Sequence, residues 1–487
     1  MAKVSTSGKC ILVQGNFDVL HPGHIRLLSF ARSCGQELIV AVNKDKTMPV
    51  KSRVSEKHRL EMVNSLECVD HAFLTDDLPQ DVVNILRPYA VVKGKEFECR
   101  ANPELDILNE YGGKLIFGSG EFESNAEQYI KKTSRPASSF DFAEMRNYAS
   151  RHNIKASKLS DTLNKVKSLN VLVIGEAIVD EYIQGTAVGM SQEDPTIVMT
   201  PNKTDKYLGG AAITAGHIKA LGANSVSLVS VIGHDAAGSF VSEHINNYHV
   251  TPYLFTDSTR PTPLKTRYRA SSKTLLRVNQ VRQHKIPIEL QKDIIGAIEQ
   301  EIAKLDLLVF SDFNYGLLPQ SLVNTISQLC KTHSVKVVAD SQTSSQVGDI
   351  SRYTDMDLIT PTERETRVAL NNPDDGLVVL AQKLTNKAKP KNLVITLGED
   401  GIFIHKPTLT FEHWENDRLP AINTNATDPA GAGDCFLAAS SLALVAGASS
   451  WEAFYLGSLA AACQVSSLGN VPLSIDVFEK AISESFH

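Results

Sequence analysis

Cysteine is sparse and disorganised in this chain. Seven cysteines (Cys10, Cys34, Cys68, Cys99, Cys330, Cys435 and Cys463) are scattered over 487 residues, with no CxxC pair and no Cys/His cluster at zinc-ligand spacing. An odd, dispersed set excludes a disulfide framework and a structural zinc site, and predicts reduced thiols. Excess charge is missing as well: 49 Lys plus Arg stand against 55 Asp plus Glu, a net charge of −6. That balance leaves no electrostatic footprint for nucleic acid or an anionic membrane. It does not exclude small anionic ligands, because a few local donors hold a phosphate whatever the net charge. Long apolar runs are absent too. The most apolar stretch, Phe436 to Ala448, contains Ser440 and Ser441 and is shorter than a membrane span. The N-terminal MAKVSTSGKC leads directly into ILVQG without a signal-peptide apolar region. A cytoplasmic protein with neither nucleic-acid nor membrane partners is expected.

What is present is a globular composition, 42% apolar and 21% charged, at a length that suits two or three domains. From residue 10 to 130, short β-branched runs (Cys10–Val13, Glu37–Val42, His71–Leu74, Ala90–Val92, Lys114–Phe117) alternate with helical patterns such as Ile25–Ser33, Ser55–Leu66 and Asp81–Leu86. Strand and helix at this spacing predict a parallel sheet with helices on its faces. A breaker-rich stretch, Thr133–Ser139, and a polar helical segment, Phe140–Ser168, follow. A second α/β pattern begins at Asn170 and runs to the C-terminus, with Lys265–Val281 alternating like an antiparallel pair. The expected division is a domain over 1–135, a helical linker over 136–168 and a larger domain over 169–487.

Two motifs carry chemistry. After the first strand comes Gly15-Asn16-Phe17-Asp18, then His21-Pro22-Gly23-His24 opening a helix. A glycine turn feeding a helix N-terminus points free N–H groups at an anion. His21 and His24, three residues apart, project from one face of that first turn and can stabilise charge during substitution at phosphorus. The second motif is Asp428-Pro429-Ala430-Gly431-Ala432-Gly433-Asp434, followed by an apolar helix from Cys435. There the glycines allow close approach of a ligand to backbone, and Asp434 is placed to take a proton from an attacking hydroxyl. A γ-phosphate would meet the N–H groups beside it.

The first motif, with Ala41–Lys46, the Arg59 helix and Val92-Lys93-Gly94, resembles the cytidylyltransferase-like nucleotidyltransferases, and in particular the adenylyltransferase domain of the bifunctional heptose-phosphate kinase/adenylyltransferases. That resemblance implies a Rossmann-like domain in which His21 and His24 are catalytic. Gly15, Phe17, Lys51, Lys93 and Ser124 would bind nucleotide phosphates. The hydroxyl-rich signature that usually closes such a site reads Phe122-Glu123-Ser124-Asn125-Ala126-Glu127 here. The second motif is preceded by Asp180, Gly209-Gly210-Ala211-Ala212, Asp340, Thr362-Glu363-Arg364-Glu365 and Thr396-Leu397-Gly398. In that order these resemble the ribokinase-type (PfkB) sugar kinases. The implied roles are Asp434 as base and Gly431, Ala432 and Gly433 as anion hole. Thr396 and Gly398 would lie along ATP, with Asp180, Gly209, Gly210 and Asp312 at the sugar. Glu365 would organise Mg2+ through water. The alternating segments would form a β lid that closes over substrate and builds a homodimer or higher homo-oligomer.

Several positions depart from the kinase pattern: Thr362 replaces an asparagine, Ile213 stands where a sugar-facing asparagine often follows GGAA, and Tyr315 occupies the place of a basic residue after Ser311-Asp312. Arg267, Arg269, Arg277 and Arg282 are expected as solvated strand positions, and His217, His244, His284 and His405 as structural. The two resemblances together imply an α/β enzyme that phosphorylates a sugar phosphate with MgATP, heptose 7-phosphate foremost. After any needed dephosphorylation elsewhere, it would join the sugar 1-phosphate to a nucleotide, from ATP or from CTP or another triphosphate, releasing pyrophosphate. The transferase-first order is read as a reversal of the usual one. The alternatives are a kinase/cytidylyltransferase for another sugar or polyol, and a sugar kinase carrying a degenerate nucleotide-binding module.

Overall fold

The computed structural model describes residues 9–18, 20, 22–47, 54–94, 97, 102–118, 140–270, 273–343, 348–407, 414–423, 426–467 and 469–486. His21, Lys51 and Ser124 lie outside the described residues. The chain divides into two compact units, Met1–Ala137 and most of the remainder from Ser138.

The first unit is built on β1 (Cys10–Gly15), β2 (Glu37–Asn43), β3 (His71–Thr75), β4 (Ala90–Gly94) and β5 (Lys114–Gly118). All four pairings are parallel and the spatial order is β3-β2-β1-β4-β5. Along β1 the side chains alternate between two apolar layers: Ile11 and Val13 join Leu28, Val40 and Val63, while Cys10 and Leu12 join Ile39, Val83 and Leu108. A sheet covered on both faces by helices is the arrangement that parallel strands require. The order reverses between β1 and β4, so the crevice at their carboxyl ends is where an open α/β sheet places its ligand.

The second unit opens with two helices, Ala143–Arg151 and Ala156–Val166. The expected linker is corrected here. Met145, Tyr148, Leu159 and Val166 are buried in one cluster with Val171, Phe436 and Phe454, because a stripe of apolar residues on each helix needs cover. Arg151 and His152 both reach Asp417, at 2.6 and 2.5 Å, and the His152 ring stacks on Trp451.

A large sheet follows, formed by β6 (Asn170–Gly175), β9 (Ser225–Ile232), β10 (Thr251–Thr256), β13 (Leu307–Asp312), β14 (Lys336–Ser341), β15 (Leu358–Ile359), β16 (Leu393–Thr396), β17 (Ile402–Pro407) and β18 (Trp414–Leu419). Its order is β10-β9-β6-β13-β14-β15-β16-β17-β18, with every pairing parallel except the last two, β16–β17 and β17–β18. A separate sheet, β12-β11-β7-β8, consists of β7 (Ala177–Met190), β8 (Ile197–Gly210), β11 (Leu264–Ala270) and β12 (Lys273–Gln280). This is the expected β lid, and Lys265–Val281 contains the antiparallel pair read from its alternation. The base of β7 is buried while its far end, with Val188 and Met190, is exposed.

Candidate active sites

The kinase-type site is assembled where the lid meets the large sheet. The helix Ala432–Val445 is buried along most of its length, which fixes Asp434 in its first turn at 6% exposure. Gly431 before it takes φ +78°, a left-handed conformation that a side chain resists. Asp434 Oδ1 accepts a 2.9 Å hydrogen bond from Thr214 Oγ1, a residue of the helix Ala211–Ala220 that follows the two glycines. Burial pushes the Asp434 carboxyl up to about 6. The Thr214 hydrogen bond and Lys265 oppose that rise, and Asp180 adds to it. A carboxylate so poised is ionised at neutral pH yet basic enough to accept a proton.

Asp180 lies at the base of β7 and is bound by Arg267 of β11 and by Asn470 Nδ2, the latter at 2.9 Å. Gly209, opposite on β8, leaves room for that carboxylate: a side chain there would collide with Asp180 Oδ2. Arg267 is therefore not the solvated position expected of it, since the pair with Asp180 draws it inward to 17% side-chain exposure. Asn470 Oδ1, buried beside Gly431, has no hydrogen-bond partner among the described residues. Lys265 is in register with Asp180 and places its ammonium over the rings of Phe313 and Tyr315, 4.7 and 5.7 Å from their centroids. A cation thus stands near Tyr315, where the sequence lacks a basic residue.

Asp312, expected at the sugar, is 1% exposed and spends its carboxylate inside the protein. It accepts from Arg352 at 2.6 Å, from Tyr353 Oη at 2.9 Å and from Asn314 N at 2.9 Å. Its role is to hold the loop after β13, a task shared by buried Glu176, which accepts from Phe313, Tyr315 and Leu317 N–H groups. Burial, then the charge of Asp312, raises the Glu176 carboxyl to about 7. Sequence reading missed Glu176, Thr214, Lys265 and Asn470.

A groove of about 650 Å³ runs along the helix Glu363–Leu370 and is lined by Thr362, Arg364, Arg367, Val368, Thr396 and Gly398 among others. The expected nucleotide residues Thr396 and Gly398 are brought together here. A side chain at Gly398 or Gly433 would meet nothing within 4 Å, so both border open space. Glu365 accepts from Thr362 N at 2.7 Å and Thr343 N at 2.6 Å, closing a capping box. Beside it, Asp340 is 7% exposed and its carboxyl is raised well above the usual range by burial and by Glu365 and Asp434. A hard divalent cation suits this oxygen-rich, mutually repelling set. Among the described residues no group of three or more His, Cys, Asp or Glu is arranged to hold a metal directly. Glu365 and Asp340 are oxygen donors of the kind that fit a hydrated Mg2+, which keeps several waters and leans on substrate phosphates.

In the first unit, Phe17 takes φ +49°, rare for a side-chain-bearing residue, and packs its ring 5.2 Å from that of His24. Fully buried Arg59 secures this turn, donating to the Asn16 carbonyl, to Val54 O at 3.2 Å and to Asp45 at 2.6 Å. Gly15 ends β1 and Lys93 lies near the end of β4, so both stand at the strand-order reversal. Lys93, expected to bind phosphate, is ion-paired with Glu104 and donates to Asn102 Oδ1 at 2.8 Å.

This architecture, with an aspartate opening a helix after a glycine turn and a β lid over the sheet, defines a ribokinase-like sugar kinase joined to a parallel-sheet domain of nucleotidyltransferase type. The pfkB family carbohydrate kinase profile matches residues 168–475, and the cytidylyltransferase-like profile matches residues 12–159. The chain belongs to the pfkB family of carbohydrate kinases.

Relatives include the bifunctional protein HldE of Helicobacter hepaticus, 31% identical over 313 residues and covering 62% of each chain. The bifunctional protein HldE of Helicobacter pylori strain J99 is 32% identical over 311 residues, covering 63% of this chain and 65% of that protein. The chain thus spans less than two thirds of the length of these curated relatives. Phosphofructokinase-2 from Escherichia coli superposes on 66% of this chain and 100% of its own, with TM-score 0.53 at 16% identity. Ribokinase from Thermotoga maritima superposes on 65% of this chain and 99% of its own, with TM-score 0.50 at 19% identity. Both likenesses are of fold. Among the described residues no helix is long and apolar enough to cross a membrane.

Proposed function

We propose that this chain is a bifunctional nucleotide-sugar enzyme. Its kinase unit phosphorylates a sugar phosphate, heptose 7-phosphate foremost, at the anomeric hydroxyl with ATP. The product is a sugar 1,7-bisphosphate; once a separate phosphatase removes its 7-phosphate as inorganic phosphate, the N-terminal unit joins the sugar 1-phosphate to a nucleotide, ADP-heptose being the leading product, and releases pyrophosphate. The observation that carries the kinase half is Asp434, buried at the mouth of a helix, hydrogen-bonded by Thr214 and facing Asp180. Asp434 accepts the proton of the acceptor hydroxyl while the N–H groups at the start of its helix receive the charge growing on the transferred phosphoryl group. Asp180, fixed by Arg267 and Asn470, accepts from sugar hydroxyls. Glu365 and Asp340 would hold hydrated Mg2+, which supplies charge neutralisation on the phosphates. The heptose assignment rests on the sequence resemblance and on the HldE relatives. The reading of the domain order as reversed belongs to the same proposal.

In the N-terminal unit, His21 and His24 would stabilise the transition state at the α-phosphate, with Lys51 and Ser124 as further phosphate contacts. The exposed lid residues Val188, Met190, Ile197 and Leu276 support pairing with a second copy through the lid. The six described cysteines are free thiols, which supports placement in the reducing cytoplasm.

One observation favours a second reading. Lys93 is already neutralised by Glu104, so the N-terminal unit would bind a nucleotide without transferring it. A screen of sugar phosphates with ATP, followed by addition of each nucleoside triphosphate to the phosphatase-treated product, tests both. Pyrophosphate release that disappears in His24→Ala, with phosphorylation intact, supports the bifunctional reading. Phosphorylation without pyrophosphate from any triphosphate supports the second, and a chain inert towards every sugar phosphate refutes both.

A further inference from the structure

We infer that Tyr182 is a positioning residue that couples the sugar side of the lid to the anion hole before Asp434. The inference rests on reading the Asp434 site as the kinase centre. Tyr182 lies on β7, two residues beyond Asp180 and so on the same face of the strand. It is 2% exposed, yet its hydroxyl crosses from the lid to donate to Asp428 Oδ2 at 3.2 Å. Burial pushes that hydroxyl up from its ordinary value, so it stays a donor at every working pH. Asp428 opens the DPAGAGD turn and shapes it. Its Oδ1 accepts from Ala430 N at 3.1 Å, and its Oδ2 also accepts from Gly469 N at 3.2 Å. Gly431, with its left-handed φ, and the first turn of the Asp434 helix follow at once.

The lid side is tied as firmly. Arg267 lies opposite Tyr182 in the β7–β11 register, pairs with Asp180 and sets its guanidinium 5.0 Å from the centre of the Tyr182 ring. Tyr207 of β8 meets the same ring edge-on, with centroids 5.6 Å apart. Gly469, which Asp428 holds, packs so close to Tyr207 that a side chain there would collide with the ring. Asp180, Arg267 and Tyr182 therefore move as one block. A sugar hydroxyl that engages Asp180 fixes the block, and the Tyr182 hydroxyl passes that position to Asp428. The N–H groups that receive the transferred phosphoryl group then take their shape when an acceptor is present. Without the bond, water takes the acceptor's place: its oxygen bonds to the γ-phosphorus, the bond to ADP breaks, and Asp434 takes the proton released.

The test is Tyr182→Phe in the full chain. Hydrogen exchange over 426–434, measured without any ligand, should quicken about tenfold, because a hydrogen bond to a charged group is lost. With ATP and heptose 7-phosphate, kcat should fall about tenfold while KM for heptose 7-phosphate stays within about twofold. ADP should then form in excess of phosphorylated sugar. Tyr182→Phe added to Asp428→Asn should do no further damage, since both act through one bond. Unchanged exchange over 426–434 overturns the inference whatever the substrate. A raised KM, with kcat unchanged and ADP equal to phosphorylated sugar, also overturns it, because Tyr182 would then serve sugar binding alone. If the unmodified chain leaves heptose 7-phosphate unphosphorylated, the substrate reading fails by itself, and the exchange result decides the inference.

Discussion

Thr214 Oγ1 donates to Asp434 Oδ1 across 2.9 Å, tying the helix after the GGAA turn to the helix that carries Asp434, the proposed base. The bond favours the ionised carboxylate inside a site where burial favours the neutral acid. Thr214→Val keeps the shape and deletes the donor. With burial then unopposed by this bond, the Asp434 carboxyl should rise further, and the acid limb of the kinase pH–rate profile should move to higher pH. The unmodified chain should lose phosphorylation as pH falls through about 6, and the variant should lose it sooner while recovering most of its rate in alkaline buffer. A variant profile superimposable on the original would show that the hydrogen bond does not set the base.

The same carboxyl has a stability consequence. Its folded value near 6 exceeds the 3.8 of an unfolded chain, so the folded state is favoured below pH 3.8 and loses that advantage as pH rises through about 6. Two pH units correspond to about 3 kcal/mol as an upper bound. Asp434→Asn resembles the protonated acid, so it should raise the melting temperature at pH 8 and leave it nearly unchanged at pH 4. Phosphoryl transfer should fall by about 10³-fold or more. Melting curves at the two pH values, paired with a kinase assay, check both halves. Equal stability of the two proteins at pH 8 would show that ionised Asp434 is not costly to bury.

How far the sequence anticipates this arrangement depends on the distance over which residues meet. The strands of the first sheet and most of the parallel strands of the large sheet are legible because β-branched runs bounded by breakers encode them locally, and the glycine turn before Asp434 is legible because its residues are contiguous. Partners far along the chain are not: Thr214 lies 220 residues from Asp434, and Asn470 lies 290 from Asp180. Neither has a local pattern that marks it. The helices over 143–166 read as a linker because most of their residues are polar. Only a narrow stripe, Met145, Tyr148, Leu159 and Val166, shows that they belong to a core. Arg267 read as solvated because alternation reports which face a strand residue takes, not that a carboxylate waits on that face.

Arg59 supplies a prediction about the N-terminal unit alone. Its guanidinium satisfies two main-chain carbonyls around the GNFD turn and pairs with Asp45. Arg59→Met fills similar volume but leaves buried carbonyls without donors, at about 1–3 kcal/mol each. The Phe17 turn, already in a left-handed conformation, should relax and carry His24 away from its place. Pyrophosphate-releasing activity should vanish while sugar phosphorylation stays within twofold. Two unfolding transitions, of which only the first moves, would accompany that result. Retained pyrophosphate release would mean that the turn holds its shape without Arg59.

Lys93 and Glu104 decide between the two readings of that unit. Glu104 is fully buried, so deleting its partner strands a carboxylate away from water, a loss of about 3–5 kcal/mol where one member of a buried pair is removed. Lys93→Met should therefore destabilise the unit strongly, and Lys93→Met combined with Glu104→Leu should restore most of the stability, because no charge is left to desolvate. The double variant then isolates the function of the lysine. If Lys93 leaves Glu104 to meet a phosphate during the reaction, the folded double variant will bind nucleotide weakly and release no pyrophosphate. If the pair is purely structural, it will match the unmodified chain in both assays, and phosphate binding in this unit must come from other residues.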